Sequence, residues 1–442
     1  MHDRLLIAGT NSGCGKTTAT CALLCALKAR GKKAAAFKCG PDYIDPMFHR
    51  EAIGIPSHNL DPFFCPPETL REQFAAGAGE ISVIEGVMGY YDGAGTDGRF
   101  STYDVARATK TPVVLVMDAH GMYTSAGAIL QGFRGFREES GVRGVIFNGA
   151  SPMLYKGLAR IARDAGVEPY GFLPRVPELS VPSRHLGLYT AGEIADINEK
   201  LRRLGELAGE DFDMEGLLSL AGSAPELPTK PKAEPSPERV RVAVARDEAF
   251  CFIYQENLET LRALGCELCF FSPVHDAALP ERIGGLYLPG GYPELYAREL
   301  AENRTMRAAV KAAVSDGVPT IAECGGFMYL HDSLDGEPMA GAIGGASYKT
   351  DRLQRFGYVT MTAGRDNLLC RDGESTRAHE FHFYESENCG GDFAAVNAGG
   401  GKEYRCCHAG KTLYAGFPHL FFPANPAFAE GFVNGALEYA AR

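Results

Sequence analysis

Short apolar runs alternate along this chain with longer stretches whose apolar positions recur at helical spacing. Leu5–Ala8, Ala34–Phe37, Ile81–Ile84, Val113–Met117 and Val145–Phe147 have the length and content of buried strands. Helical patterns such as 18–29 separate them, and strands separated by helices predict a parallel α/β sheet. The alternation restarts at Val240–Ala245 and continues through a helix near 254–264 and strands at Glu267–Phe271, Gly285–Leu288 and Thr320–Ala322. Between the two series, Ser223–Arg239 carries proline throughout, which excludes regular helix or strand and marks a linker. The pattern therefore predicts two α/β domains, 1–222 and 240–442, joined by 223–239. From about Tyr348 to Cys407 the periodicity weakens while glycine and charge increase, so antiparallel or irregular structure is expected there.

Length agrees with two large domains, because 442 residues exceed what one core of ordinary size organises. With 45% hydrophobic and 22% charged residues the chain is globular in composition, neither disordered nor fibrous. The net charge is −11 and no long basic run occurs, which argues against a nucleic-acid partner. No apolar run reaches the length of a membrane span. The thirteen cysteines form no disulfide framework, and Met1-His2-Asp3-Arg4 leads directly into a strand, so a cytoplasmic, reducing location is expected. Cys266-x-x-Cys269 lies in an apolar stretch with Cys406-Cys407 as its only possible complement, and reads as buried small residues in preference to a metal site. A homo-oligomer is compatible with all of this.

The candidate chemistry falls into two groups. Gly9-Thr10-Asn11-Ser12-Gly13-Cys14-Gly15-Lys16-Thr17-Thr18 follows a strand and opens a helix, the context of a phosphate-binding loop. Backbone amides from Gly13 to Thr17 would surround the phosphates of ATP, Lys16 would reach the terminal oxygens, and Thr17 would ligate Mg²⁺. The spacing departs from the strict pattern at Thr10, where glycine is usual, and its Gly-Thr-x4-Gly-Lys-Thr form resembles the loop of dethiobiotin synthetase and its relatives. Lys38-Cys-Gly-Pro-Asp42-Tyr43-Ile-Asp45-Pro follows the second strand, at the edge where open α/β sheets bind ligands. Asp42 and Asp45 can hold Mg²⁺ or orient a substrate, or can serve as turn residues beside proline. Glu85 ends the third of these strands as a metal partner of Walker-B type. The glycine-rich segment behind it, which includes Tyr91, permits close approach of a large ligand. Asp118 reads as a cap, and Asn148 either as a contact to adenine or as an Asx turn.

The second group centres on Cys324 in Ile-Ala-Glu-Cys-Gly-Gly-Phe, between an apolar strand and a short helix, where a glycine-rich elbow projects a nucleophile and the helix N-terminus favours its thiolate. Gly291, in Leu288-Pro-Gly-Gly-Tyr-Pro-Glu294, and Gly325 are candidate oxyanion donors. His419, in Phe417-Pro-His-Leu, is the candidate general base and acid. Such a pair attacks the side-chain amide of glutamine and releases ammonia. A class I glutamine amidotransferase often carries glutamate two residues after this histidine, where Phe421 stands, so a third triad member is absent or comes from elsewhere. His379 and His382, at i, i+3 in an expected strand, would face opposite sides, and fit either a substrate-facing role or a surface strand.

Taken together and in this order, the loop, the Lys38–Pro46 segment, Glu-Gly-Val-Met-Gly-Tyr-Tyr-Asp-Gly, Glu-Cys-Gly-Gly-Phe-Met, His-Glu-Phe-His-Phe-Tyr and Phe-Pro-His-Leu resemble the cobyrinic acid a,c-diamide synthase family across nearly the whole chain. The resemblance implies an N-terminal synthetase domain of dethiobiotin-synthetase type and a C-terminal glutamine amidotransferase domain. It further implies activation of a tetrapyrrole carboxylate by ATP, with ammonia from glutamine displacing phosphate across an enclosed path. It assigns Asp42, Tyr43, Asp45 and Glu85 to the synthetase centre and Cys324 with His419 to the glutaminase. The same motifs fit enzymes acting on hydrogenobyrinic acid or nickel-sirohydrochlorin. A P-loop switch protein with a non-catalytic amidotransferase-like domain is the alternative of another class.

Overall fold

In a computed structural model of the protein, residues 2–176, 191–228, 236–237, 239–401 and 403–442 are described. The chain divides into two compact units, Met1–Lys232 and Ala233–Arg442. Of the proline-rich stretch 223–239, residues 229–235 and 238 lie outside the described residues.

The first unit is built on parallel strands β1 (Asp3–Gly9), β2 (Ala34–Cys39), β3 (Ser57–Leu60), β4 (Ile81–Glu85), β5 (Val113–Asp118), β6 (Val142–Asn148) and β7 (Glu168–Leu173), in the order β3-β2-β4-β1-β5-β6-β7. Strand order reverses at β1, so the loop that leaves its C-terminal end lies at the crevice where such sheets bind ligands. Two strands escape the hydrophobic pattern. β3 is polar yet buried, because Asn59 donates to the carbonyls of Gly40 (2.9 Å) and Asp42 (2.8 Å) and His58 packs on Phe37. β7 contains Pro169 and Gly171, which an edge strand tolerates and a central one does not.

In the second unit β8 (Val240–Ala245), β9 (Cys266–Phe271), β10 (Gly285–Leu288) and β11 (Thr320–Glu323) join Leu413–Gly416 and His408–Ala409 in a sheet whose order places β11 between β10 and Leu413–Gly416. The weakly periodic segment is antiparallel: Arg355–Ala363 pairs with Ser375–His382 and with Phe393–Asn397. His419–Leu420 adds to the edge of Ser375–His382 and sets His419 opposite His379. Val242, Tyr287, Met361, Phe393 and Phe432 share one apolar core, which locks this sheet onto the parallel one. No helix among the described residues is long and apolar enough to cross a membrane.

Candidate active site

The phosphate loop is shaped by its glycines. Gly15 takes a left-handed φ of 97° as the N-cap, and the helix begins at Lys16, two residues before the helical pattern does. A Cβ on Gly9 would lie 2.8 Å from Lys16 Nζ, so glycine at 9, with Thr10 after it, is the position that makes room for the lysine. Lys16 folds back over the loop and donates to the Asn11 carbonyl at 3.2 Å, and the Thr10 hydroxyl donates to Asn11 Oδ1 at 2.9 Å. Gly13, at φ 78°, supplies the other left-handed turn of the loop. Thr18 is half-buried on the first helical turn.

Behind the loop lies a buried charge cluster that register dictates. β2 and β4 pair so that Lys38 faces Glu85. Lys38 Nζ donates to Glu85 Oε1 at 2.9 Å and pairs with the Asp45 carboxylate, while the Thr17 hydroxyl donates to the same Glu85 oxygen at 2.7 Å. His49 Nε2 lies 3.3 Å from Glu85 Oε2, with its Nδ1 3.1 Å from Ser57 Oγ. Burial opposes the charges on Lys38 and Glu85, but opposite charges outweigh it: Asp45 and Glu85 hold the lysine well above its ordinary range, and Lys38 with His49 holds Glu85 well below that of a carboxylate. Burial and the neighbouring Glu85 push Asp45 the other way, well up, against the attraction of Lys38. Asp45 is thus the carboxyl of the cluster that holds its proton more tightly than an ordinary aspartate.

Thr17 and Glu85 present two oxygens beside the loop, and no group of three or more His, Cys, Asp or Glu side chains able to hold a metal ion occurs among the described residues. Thr17 and Glu85 are the residues that could hold a cation beside the loop. Asp42 Oδ1 accepts from the Ile44 amide at 2.8 Å and starts the helix Ile44–Phe48, a turn role for that oxygen; Tyr43 is the half-buried residue that precedes this helix.

In the second unit β11 ends at Glu323, and Cys324 follows with φ 45° and ψ −103°, a strained conformation for a residue with a Cβ and the one a nucleophile elbow uses. The Cys324 amide donates to the Gly416 carbonyl at 2.8 Å, which ties the elbow to the strand that continues to His419. A Cβ on Gly290 would lie 2.3 Å from His419 Cε1, and one on Gly325 would lie 3.0 Å from the Gly291 amide nitrogen. The Gly290-Gly291 turn thus touches both the histidine and the residue after the cysteine, and brings the two candidate oxyanion donors together. Burial and the charge of Glu294 push the Cys324 thiol well up, although the Gly325 amide works in the opposite direction. The helix N-terminus thus acts in the expected direction on the thiolate, but desolvation outweighs it. Burial, then His379 and His382, lower His419 to about 3. At neutral pH the pair rests as thiol and neutral imidazole.

Residues 5–188 match the CobQ/CobB/MinD/ParA nucleotide binding domain, and residues 241–427 the CobB/CobQ-like glutamine amidotransferase domain. Cobyrinate a,c-diamide synthase from Dehalococcoides mccartyi is 38% identical over 98% of this chain and 97% of its own. The enzymes of that name from Clostridium acetobutylicum (38%, over 97% of this chain and 99% of the relative) and Thermoplasma volcanium (37%, 99% and 98%) are similar throughout. The chain belongs to the cobyrinate a,c-diamide synthase family. It is an enzyme, a ligase with an ATP-binding domain and a glutamine amidotransferase domain.

Several residues take places the sequence did not indicate. Tyr91, expected at a bound substrate, packs among Tyr90, Tyr103 and Phe133 and donates its hydroxyl to the Phe133 carbonyl. Asn148 donates to the Cys14 carbonyl at 3.1 Å and braces the phosphate loop from β6. Asp118 accepts from the His120 amide at 2.9 Å as a turn residue. His379 and His382 do not lie on a surface strand, although the unbroken register through Ser375–His382 keeps residues three apart on opposite faces. Both are buried, both press on His419, and both are lowered to about 4 by desolvation. His382 ends the strand; its Nδ1 meets the Tyr384 carbonyl at 2.7 Å and its ring stacks on Phe417 at 3.9 Å.

Two residues went unassigned in the sequence. His49 lies four positions after Asp45, one helical turn on, and that spacing was its signal. Glu323 is a charged residue closing an otherwise apolar strand beside the nucleophile. The packing of Gly290 leads to a prediction. Gly290→Ala places a methyl where His419 lies, so glutamine hydrolysis should fall at least about tenfold while ammonia-dependent amidation persists, because a misplacement of ~1 Å is costly in a site of this kind. Unaltered glutamine hydrolysis would remove His419 from the reaction.

Proposed function

We propose that this enzyme converts the a and c side-chain carboxylates of cobyrinic acid to amides, using ATP and glutamine. Residues 1–222 would form the synthetase and 240–442 the glutaminase, in a reducing, cytoplasmic setting. The geometry that carries the reading is the phosphate loop whose Thr17 is bonded to Glu85, itself tied to Lys38 and Asp45.

A carboxylate does not accept ammonia directly, so oxygen of the substrate carboxylate first attacks the γ-phosphorus of ATP, giving an acyl phosphate and ADP. Lys16 and the loop amides bind the phosphates, and Thr17 with Glu85 would hold Mg²⁺, whose contribution is to neutralise phosphate charge. Ammonia then forms the C–N bond as phosphate leaves, and Asp45, with its raised pKa, is suited to take the proton released. In the glutaminase, Cys324 gives its proton to His419 as sulfur attacks the glutamine amide carbon. Gly291 and Gly325 amides would receive the oxyanion, His419 returns the proton to the leaving ammonia, and water hydrolyses the thioester to glutamate.

The test is the purified enzyme with ATP, Mg²⁺ and glutamine, offered cobyrinic acid, hydrogenobyrinic acid and nickel-sirohydrochlorin in parallel, with product mass as readout. Cobyrinic acid should gain two amides. Turnover of another macrocycle alone would reassign the substrate, and turnover of none with ATP still bound would favour a binding module.

A further inference from the structure

The position where class I amidotransferases often carry the third acid holds Phe421, a buried ring packed on Tyr254. The structure supplies a carboxylate from another direction. Glu323 is 1% exposed at the end of β11, and its Oε2 lies 4.0 Å from His419 Nδ1. Its Oε1 accepts from the Leu420 amide at 3.0 Å, so the acid grips the backbone next to the histidine. Its Oε2 accepts from the Tyr287 hydroxyl at 3.0 Å. Asn257 closes the network: its Nδ2 donates to Tyr287 (3.2 Å) and to the Leu420 carbonyl (2.8 Å), and its Oδ1 accepts from the Phe422 amide at 2.8 Å. Two donors aimed at Glu323 both favour its ionised form over the neutral acid. The buried imidazoles of His379 and His382, which also press on His419, disfavour a positive charge there.

We infer that Glu323 is the acid partner of His419 in glutamine hydrolysis, a positioning residue that orients the imidazole and steadies the imidazolium. The inference rests on the glutaminase reading above. At 4.0 Å the carboxylate is beyond hydrogen-bond length of Nδ1 and acts by its charge, favouring a proton on Nδ1 and leaving the Nε2 lone pair for the Cys324 proton. When that proton moves from Sγ to Nε2 and sulfur bonds the amide carbon, the positive charge faces Glu323; the Nε2 proton then leaves with ammonia as the C–N bond breaks, and Glu323 takes none. Burial pushes Glu323 up to about 8, so its carboxylate forms on the alkaline side of neutral pH. A raised acid acts as a carboxylate above its pKa and is lost as pH falls through it, so glutamine hydrolysis should rise through this range.

The experiment compares wild type, Glu323→Gln and Tyr287→Phe by the pH profile of glutamine hydrolysis, with ammonia-dependent amidation as the check on folding. Glu323→Gln should lower kcat at least about tenfold, leave KM for glutamine near wild type and erase the rise near pH 8. Tyr287→Phe removes a donor to the carboxylate, so the rise should move to higher pH, and this readout remains if the first variant does not fold. Wild-type kcat with the rise intact in Glu323→Gln, or an unmoved rise in Tyr287→Phe, would overturn the assignment. Failure of the underlying reading is distinct: glutamine hydrolysis would then survive in Cys324→Ala.

Discussion

Replacing Glu85 with glutamine is expected to reduce amidation about 100-fold or more with either glutamine or ammonia as nitrogen source, while glutamine hydrolysis continues. The magnitude is that of deleting one preorganised electrostatic contact from a buried site. Glutamine keeps the volume but places an amide donor where Thr17, Lys38 and His49 all approach, and it removes the charge that balances Lys38. Breaking a buried pair from one side costs on the order of 3–5 kcal/mol, so the variant should also unfold at lower denaturant concentration. The pH dependence has a definite sign. Glu85 is held below its ordinary value of 4.5, so its stabilisation is present above that pH and is lost as pH falls through its lower folded value. The stability difference between wild type and variant should therefore narrow in strong acid. Loss of repulsion from Glu85 also lets Asp45 ionise more easily, which partly offsets the charge lost beside Lys38. Amidation at the wild-type rate with ammonia would remove the Lys38–Asp45–Glu85 cluster from the reaction centre.

What could be read from the chain was local. The phosphate loop and the Cys324 elbow each lie within about ten residues, and the strands leading into them are apolar enough to be recognised. Features created by register were not legible. Lys38 and Glu85 meet because β2 and β4 are neighbours in a parallel sheet, although they lie 47 positions apart. His379 meets His419 across an antiparallel edge in the segment whose pattern was least informative. β3 was missed because its polar residues are satisfied by backbone carbonyls instead of by water, and hydrophobic periodicity does not register that. The aromatic cluster around Tyr91 was hidden for a related reason: a glycine-rich loop beside the strand that ends at Glu85 looks open in sequence, whereas Tyr90 and Phe133 pack against this tyrosine.

Cys324→Ala is expected to lower glutamine-dependent amidation by on the order of 10³-fold or more while amidation supported by ammonia continues, since removal of the nucleophile leaves no route to the thioester. The fold should tolerate the change. Cysteine and alanine both carry a Cβ, so the strain at φ 45° is the same before and after, and the elbow keeps its bonds from the Cys324 amide to Gly416 and from Met328 to the Cys324 carbonyl (2.9 Å). The small cavity left by sulfur costs less than removal of a large core side chain. Ammonia-dependent activity should rise with pH as ammonium gives way to free ammonia, in the variant as in the wild type, because that nitrogen source bypasses His419 and Glu323. The measurement is amide formation by mass under both nitrogen donors, with ADP release followed in the same samples. Loss of both activities in a folded variant would show that Cys324 serves the synthetase centre as well, and would end the division of labour between the Thr17–Glu85 site and the Cys324–His419 site.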